Sequence, residues 1–561
     1  MTILIPTESL EQILCHFKDD KVTLHSCVLV NRFWCSTAAS ILYKRPFQFL
    51  SKPSPKLIRT FISCLSPSSK DSLIQARINP KILDLPSPKL HYPSFLRHLN
   101  YEFIYNSIFE LFKEISEKSI TQQDQNVRTY KHDTSTKRLL TIEIFKLIVS
   151  STPVIKHLVL DIQHIQDVLK GEFFHFDNDI KSILNSGDSK ICLSQIKRLE
   201  YGGIDDLENL NLLTDYCNEI NGLEINFCNR MSISEIKSFI QKDLDTEIIE
   251  RDLINSQMGL KRIVLRGRYE SLGKIFLSIQ TQISSLTYLE LFECYLQDDN
   301  VMRIISECDQ LETFKLIECY DSTFSKMSPL KFSNFKRLKR LEFKRNSLGD
   351  TDPLKIMFKN ASETLKELVL FQLVNRLVDR HSRNQRFLRI DAMLMDSIGL
   401  HCQNLTHLEL FLTHHVMYQW YDALKSFNSL KKLFIMVRDL SDNQEFWEMT
   451  SINLSPSLLD LAISIEGDGY YDVLDWVMSK IKIHLEILQL LGKAQVEPKG
   501  IKYIVDYYHK FNSLKQLALN NYGNTLQREI IMHVQDLFKV SFIDSIGISK
   551  ENPVHSSLNH V

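Results

Sequence analysis

A six-residue phrase of the form L-x-x-L-x-L recurs about thirteen times between Ile155 and Leu519, with Ile, Phe or Tyr at times in place of Leu. Clear copies begin at Leu260, Leu286, Leu311, Leu338, Leu365, Leu405 and Leu430. Most copies start about 25 to 29 residues after the previous one. A period of this length indicates a chain that stacks small similar units and does not close around one core.

The last three positions of the phrase alternate between apolar and variable residues, as a β-strand requires. The stretch that follows is compatible with a helix. After Leu291, for example, the stretch from Asp298 to Cys308 places Val301 and Ile304 on one side. The pattern predicts an α/β fold, a leucine-rich-repeat solenoid with a curved parallel sheet on its concave face and helices on its convex face.

Two details refine the repeat prediction. Gaps of about 40 residues start at Ile155, Ile220 and Leu365, so these repeats carry insertions, which normally form loops. Three residues after the motif's last apolar residue stand Cys228, Cys294, Cys319 and Asn346. We expect these side chains to bond backbone groups where the chain leaves the sheet, since an unsatisfied buried group costs about 1–3 kcal/mol.

Composition limits the compartment and the partners. The net charge of −1 favours neither nucleic acid nor an anionic membrane as a partner. The chain contains no apolar run of the roughly 18 residues that a membrane helix needs, and its start lacks the order of a signal peptide. Eleven cysteines without a C-x-x-C pair suit a reducing compartment, so we expect a cytoplasmic or nuclear protein.

Four regions are predicted along the chain. Residues 1–47 form a compact helical segment, and 48–137 form a linker rich in Pro and Ser with one helical stretch. Residues 138–548 form the repeats, and 549–561 form a disordered tail.

The first segment carries a more specific pattern. Leu10, Ile13, Leu14 and Phe17 follow helical spacing, and further short helices are expected over Val22–Val30 and Arg32–Tyr43. The segment resembles the F-box, and the residues that carry the resemblance are Ile5-Pro6, Glu8, Leu10, Ile13, Leu14, Leu24, Cys27, Leu29-Val30-Asn31-Arg32-Phe33-Trp34-Cys35, Leu42-Tyr43 and Pro46-Phe47. Ile5 and Tyr43 depart from the usual Leu and Trp but remain apolar. With its repeats, the chain is similar to F-box/leucine-rich-repeat proteins of the fungal F-box-like group.

The resemblance implies a three-helix F-box that docks on a Skp1-type adaptor, and through it on a cullin, while the repeats hold a protein target for ubiquitylation. It places the Skp1 contact among Pro6, Leu10, Leu14, Val30 and Trp34. These side chains are instead core residues if they pack onto the linker and the first repeats. For Leu10 and Trp34 the two interpretations remain equally open.

Target binding is expected on the outward face of the strands. The position directly after the motif holds a large apolar residue in six repeats: Phe292, Ile317, Phe371, Phe411, Met436 and Leu491. Strands about 4.8 Å apart would align these side chains in one apolar row, which marks a partner site unless an insertion or the C-terminal segment covers it. Arg262, Arg266, Arg340 and Lys344 would add a basic zone, and the insertion after Phe371 carries five arginines within 376–389.

No catalytic motif is found. The chain contains no nucleotide-binding, zinc-protease or serine-hydrolase signature, and only 16 glycines. We therefore expect neither an enzyme nor a bound cofactor or metal. The alternatives to a ligase adaptor are a non-catalytic repeat scaffold or inhibitor, and an activator of another enzyme such as a GTPase-activating repeat protein.

Overall fold

The computed structural model describes residues 5–50, 52–122, 134–161, 181–185, 187–202, 207–226, 252–267, 272–296, 298–319, 328–344, 346, 351–371, 390–438, 440, 443–465, 474–492, 498–520, 537 and 539–543. The chain divides into two compact units. The first comprises Met1–Arg268 with Lys274–Ser285, and the second comprises Tyr269–Gly273 with Leu286–Val561.

Three short helices open the first unit, as the sequence predicts. They are α1 (Thr7–Cys15), α2 (Lys21–Val28) and α3 (Arg32–Leu42). Asp20 and Asn31 cap the second and third helices, because their side-chain oxygens accept the backbone N–H of Thr23 and Trp34, each at 3.0 Å.

The region expected to be a linker is mostly regular structure. It contains four further helices: α4 (Pro55–Ser63), α5 (Pro67–Gln75), α6 (Pro80–Leu83) and α7 (Tyr101–Gln122). Each of the first three begins at a proline, which suits the first helical position because proline lacks an N–H group. A four-residue 3-10 helix, Pro46–Phe49, precedes them, and another covers Tyr92–Phe95.

The expectation that strands begin only after residue 138 is wrong. Strand β1 (His98–Asn100) lies inside the region 48–137 and pairs in parallel with β2, with Leu99 opposite Leu158. The physical reason is visible in Leu96-x-x-Leu99-x-Tyr101, which has the repeat spacing with Tyr at its last position, and all three residues are buried. The proline-rich sequence that precedes this copy of the motif indicated a linker, so the strand was not predicted.

In the part of the first unit that the structure describes, five strands follow one another in parallel order. They are β1, β2 (His157–Asp161), β3 (Arg198–Gly202), β4 (Gly222–Asn226) and β5 (Arg262–Arg266). Its remaining helices are α8 (Thr134–Ser151), α9 (Gly187–Leu193), α10 (Leu207–Tyr216) and α11 (Gly273–Ile279), of which α11 belongs to this unit from Lys274 and is followed by a 3-10 turn at Gln280–Gln282.

The described residues of the second unit form ten strands, again parallel and in chain order. They are β6 (Tyr288–Phe292), β7 (Thr313–Ile317), β8 (Arg340–Lys344), β9 (Glu367–Phe371), β10 (His407–Leu412), β11 (Lys432–Val437), β12 (Asp460–Ile465), β13 (Ile487–Gly492), β14 (Gln516–Asn520) and β15 (Lys539–Ile543). Every copy of the motif between Ile155 and Leu519 contains a strand. Strand β15 lies on a further copy that was not predicted, Leu537-x-x-Val540-x-Phe542.

Helices alternate with these strands. They are α12 (Asp299–Glu307), α13 (Asp352–Asn360), α14 (Ala392–His401), α15 (Met417–Ser426), α16 (Gln444–Ile452), α17 (Leu474–Lys480) and α18 (Pro498–Phe511), with 3-10 turns at Ser328–Phe332 and His414–Val416. In α12 the residues Val301, Ile304 and Ile305 are buried, as their spacing predicts. An open parallel sheet whose described connections are mostly helices is the architecture of a leucine-rich-repeat α/β solenoid, so the predicted fold class is confirmed.

The core forms because strand side chains alternate between two faces. On β6, Leu289 and Leu291 are fully buried, and the same positions on β7 and β8 hold buried Phe314 and Phe343. Each fully buried side chain of this size contributes roughly 1.5–3 kcal/mol. The other face of each strand, here termed the open face, carries the remaining side chains.

The predicted Cys and Asn position has the expected role. Asn346 accepts the backbone N–H of Cys319 at 2.8 Å and donates to the carbonyl of Leu316 at 2.8 Å. The Cys319 thiol contacts the Leu291 carbonyl at 3.3 Å, and that of Cys294 contacts the Phe292 carbonyl at 3.3 Å. Burial raises the pKa of Cys319 well above its usual value, so this thiol stays protonated. Cys228 lies outside the described residues.

Candidate functional site

The first candidate surface belongs to helices α1–α3. Their core consists of Leu10, Leu14, Leu24, Ala38 and Ile41, and Trp34 packs against it while remaining part-exposed. Leu10 and Leu14 are 0% and 1% exposed. These two residues lie on the inner side of α1, because α3 supplies the apolar surface that they bury. In this structure they are core residues, which is the alternative that the sequence left open.

Other apolar residues of the same segment remain in solvent. Large apolar side chains exposed between residues 5 and 30 are Ile5, Ile13, Phe17, Val22, Leu29 and Val30. Val22, Leu29 and Val30 are 77%, 73% and 59% exposed, and Pro6 is exposed as well. Of the predicted contact residues, Pro6, Val30 and Trp34 are thus accessible to a partner. Sequence reasoning missed Val22 and Leu29, because helical spacing identifies an apolar residue but not the face that its neighbours leave uncovered.

The helical segment is joined firmly to the first strand. The backbone N–H of Arg97 donates to the carbonyl of Lys44 at 3.0 Å, and the Arg97 carbonyl accepts the N–H of His157 at 3.0 Å. The Phe47 ring lies edge-on to His98, with 5.8 Å between ring centroids, and 5.3 Å from the ring of Phe103. A partner held by α1–α3 would therefore be fixed relative to the sheet of the first unit.

The second candidate surface is the open face of the second unit. Strand register aligns the six predicted row positions on one side of neighbouring strands, as in Phe292 opposite Ile317 and Phe411 opposite Met436. Lys344 interrupts the row between Ile317 and Phe371.

Exposure along this row is uneven. Phe292, Ile317 and Phe411 are part-exposed, whereas Phe371, Met436 and Leu491 are 7%, 1% and 9% exposed. The expectation of a uniformly exposed row is wrong at these three buried positions.

Phe371 and Met436 are buried because they contact other side chains of the open face. Phe371 and Met436 form a small cluster with Val369, against which Phe411 and Phe434 also pack. The rings of Phe371 and Phe434 stack at 5.4 Å between centroids with 13° between their planes. These apolar side chains bury one another across neighbouring strands, so the accessible part of the row is at β6, β7 and β10.

A charged network occupies the adjoining positions of β6–β10. Glu342 lies at its centre, with the Nζ of Lys344 at 2.8 Å, a guanidinium nitrogen of Arg340 at 3.0 Å and the Nζ of Lys315 at 3.5 Å. Lys315 also approaches Glu290 at 3.6 Å. Strand register causes this arrangement, because it places Glu290, Lys315 and Glu342 on consecutive strands, opposite one another.

The network continues on the next strands. Arg340 pairs with Glu367, and Glu409 accepts a contact from Lys344 at 3.9 Å and from the Nε2 of His407 at 2.9 Å.

The pKa values follow from these contacts. Burial alone would raise the pKa of Glu342, but Lys344, Lys315 and Arg340 lower it to about 2. Burial opposes the charged form of Lys315 too, yet Glu342 and Glu290 raise its pKa above the ordinary value. Glu342 and Lys315 are therefore both charged at neutral pH.

The predicted basic zone is corrected by the same contacts. Arg340 and Lys344 belong to the network, and Arg266 donates to Glu224 at 3.0 Å in the first unit. Each of these three bases has a carboxylate partner, so this part of the zone is charge-compensated rather than basic. The arginines of 376–389 lie outside the described residues.

The open face of the first unit differs in chemistry. The rings of His98 and His157 stack at 4.2 Å with 5° between their planes, and the Nε2 of His157 lies 2.9 Å from Glu200. Burial and the nearby Arg198 and Arg45 lower the pKa of His157 to about 3, so both stacked rings are neutral at pH 7. Burial, with Asp161 and Glu200, raises the pKa of Glu102 to about 8.

The helices and the metal-binding side chains of the described part of the chain limit its function in two ways. None of its helices is long and apolar enough to cross a membrane. Within the same residues, no group of three or more His, Cys, Asp and Glu side chains is arranged to hold a metal ion.

Comparison with known proteins finds likenesses among solved structures but not among family models or curated sequences. No family model and no curated protein sequence matches the chain. A chain in the crystal structure of the yeast Rad7 and Elc1 complex is 13% identical with a TM-score of 0.35, over 69% of this chain and 96% of that one. The leucine-rich repeat-containing protein LegL7 from Legionella pneumophila is 11% identical with a TM-score of 0.28, over 57% and 87%. The fold assignment stands on the strand register and the alternating burial described above.

Proposed function

We propose that this protein is a non-catalytic substrate-recognition adaptor of an SCF-type ubiquitin ligase. Helices α1–α3 act as an F-box that binds a Skp1-type subunit and, through it, a cullin, while the repeats bind a protein target. In this proposal neither nucleic acid nor a membrane is a partner, and transfer chemistry belongs to other subunits. The protein works in the cytoplasm or nucleus.

One observation carries the adaptor part. Of fifteen exposed large apolar side chains among the described residues, six lie between residues 5 and 30. Exposed apolar side chains concentrated in one small segment mark a partner site. Burying each large one in an interface is worth roughly 1.5–3 kcal/mol before ordering costs.

The docking residues follow from exposure. Pro6, Val30 and Trp34 remain as predicted contacts, and we add Val22 and Leu29. Leu10 and Leu14 support the surface from beneath, since they hold α1 against α3.

Target binding is proposed on the open face at β6 and β7. Phe292 and Ile317 are part-exposed there and lie beside the charged network. An apolar contact flanked by paired charges resembles the usual anatomy of a protein interface, an apolar centre with a polar rim. Phe371, Met436 and Leu491 contribute as buried support rather than as contacts.

The adaptor test is copurification with a recombinant Skp1-type subunit. A chain carrying Val22→Glu with Val30→Glu should bind at least roughly tenfold more weakly, because two apolar contacts are replaced by charges. Met258→Glu is the matched control, since Met258 is 89% exposed but lies far along the chain from α1–α3. Circular dichroism should show both variants folded. Normal Skp1 binding by the double variant would overturn the docking assignment.

The target test uses affinity capture from cells with the proteasome blocked. Phe292→Glu with Ile317→Glu should lose the captured target and retain the Skp1-type subunit. Capture of targets without any Skp1-type subunit or cullin by the unchanged chain would instead favour a repeat scaffold or inhibitor.

A further inference from the structure

The pentapeptide Pro-Ser-Pro-Lys-Leu occurs twice in this chain, at 53–57 and at 86–90. The first copy starts helix α4. Ser54 is its cap: the Ser54 Oγ accepts the N–H of Leu57 at 3.4 Å, and the Ser54 N–H donates to the Oγ of Ser107 at 2.9 Å. Ser54 is part-buried, and the three residues after it already lie in α4.

The second copy has no regular secondary structure. Ser87 is exposed and forms no hydrogen bond in the described part of the chain. Pro86 and Lys89 beside it are exposed as well. A residue before proline avoids the helical region, so Leu85 and Ser87 favour extended backbone. The same five residues therefore present a part-buried serine that caps a helix at one site, and an exposed serine without a hydrogen bond in coil at the other.

Other Ser-Pro and Thr-Pro pairs are less available. Ser66 caps α5 by accepting the N–H of Ser69 at 3.1 Å, so Pro67 and the residues after it are helical. Thr152 is buried and donates to the carbonyl of Pro93 at 2.7 Å. Ser455 is buried too. Among the pairs whose side chains the structure describes, Ser87 alone combines exposure, coil backbone and an unbonded hydroxyl.

We propose that Ser87 is a phosphorylation site for a proline-directed serine/threonine kinase. The Ser87 Oγ attacks the γ-phosphorus of ATP, the bond from that phosphorus to the β–γ bridging oxygen breaks, and ADP leaves. The hydroxyl proton passes to the catalytic carboxylate of the kinase. The product is phosphoserine, which adds about −1.5 to −2 charge at neutral pH beside Lys89.

Conformation decides which copy is used. The acceptor hydroxyl must lie in line with the γ-phosphate, which requires the peptide to fit the kinase cleft. Ser87 can be presented without breaking any hydrogen bond of its own. Ser54 can be presented only after the first turn of α4 unwinds and its cap is lost. Loss of a cap shifts an equilibrium by roughly tenfold.

The test uses the folded full-length chain and two synthetic peptides that contain the two copies. A proline-directed kinase is selected that phosphorylates both free peptides at similar rates. With the folded chain, fragmentation mass spectrometry should place phosphate on Ser87 at least roughly tenfold faster than on Ser54. Ser87→Ala should remove that signal, and Ser54→Ala should leave it unchanged.

Two results would overturn the proposal. One is phosphorylation of the free 86–90 peptide without phosphorylation of Ser87 in the folded chain. The other is equal rates at Ser54 and Ser87 in the folded chain, which would show that the fold does not select between identical peptides.

Discussion

Helices α1–α3 and the open face of β6–β11 differ in the solvent exposure of their apolar side chains. On the helices, Val22, Leu29 and Val30 stay in solvent. On the strands, Phe371 and Met436 bury each other with Val369, and the neighbouring charges are paired. A helical segment of about 45 residues is too small to bury all its apolar surface, whereas stacked strands offer each side chain neighbours on both sides. Helices α1–α3 therefore leave more apolar surface exposed than the open face does, and this surface would be buried by the proposed partner.

The largest expected effect breaks the helical core. Leu10→Ala should lower the free energy of unfolding by about 3–5 kcal/mol, because a fully buried leucine leaves a cavity. Chemical denaturation followed by circular dichroism measures it. A loss below about 1 kcal/mol would mean that Leu10 is not a core residue of the free chain.

A smaller loss is expected at the centre of the charged network. Glu342→Gln leaves Lys315, Arg340 and Lys344 without their shared carboxylate, and should cost about 2–3 kcal/mol. This loss of unfolding free energy is smaller than that expected for a fully buried ion pair, because the three bases are partly exposed to solvent. Glu312→Gln is a matched control, since its pair with Lys339 at 2.9 Å is exposed and should cost less than about 1 kcal/mol.

As the pH is lowered, the first unit should begin to lose stability at a higher pH than the second. The pKa of His157 is lowered from 6.5 to about 3 in the folded chain, so the unfolded chain binds the extra proton and stability falls as pH drops below 6.5. Between pH 6.5 and 5 the loss from His157 is about 2 kcal/mol. The pKa of His98 is lowered as well and adds to this loss, whereas Glu102, with its pKa raised from 4.5 to about 8, gains stability over the same range and offsets part of it. The Glu342 carboxylate, with its pKa lowered from 4.5 to about 2, contributes stability that is lost only below pH 4.5.

Hydrogen exchange followed by mass spectrometry resolves this difference. Peptides of β2 and β3 should lose protection between pH 6.5 and 5, while peptides of β7 and β8 keep theirs. His157→Gln should reduce the early loss, and His98→Gln with His157→Gln should abolish it. Equal protection of both sets across this range would contradict the assignment of neutral stacked histidines.

The smallest effect on the free energy of unfolding is expected at an exposed residue of the proposed docking surface. Val30→Ala should change the free energy of unfolding by less than about 0.5 kcal/mol, because its side chain is already in solvent. The same denaturation experiment measures it, alongside Leu10→Ala. A large loss would show that Val30 packs inside the chain, and would remove it from the docking surface.

Local patterns predicted the elements well where one physical rule dominated. Alternation at each motif copy identified a strand because the pleat admits only one buried set, and Asn346 satisfied backbone groups as its position required. Prediction failed at His98–Asn100 because proline-rich surroundings outweighed a correctly spaced Leu96 and Leu99. The F-box identity, the domain limits and the binding residues stay predictions.

Sequence by itself determined the repeat architecture, since a period of strand and helix allows few ways to bury its leucines. It also determined which side of each strand faces the helices. Only the tertiary structure decided which apolar residues remain available: Leu10 is covered by α3, Phe371 stacks on Phe434, and Val30 is left in solvent. The reason is that burial depends on neighbours distant in the chain, and spacing within one element carries no information about them.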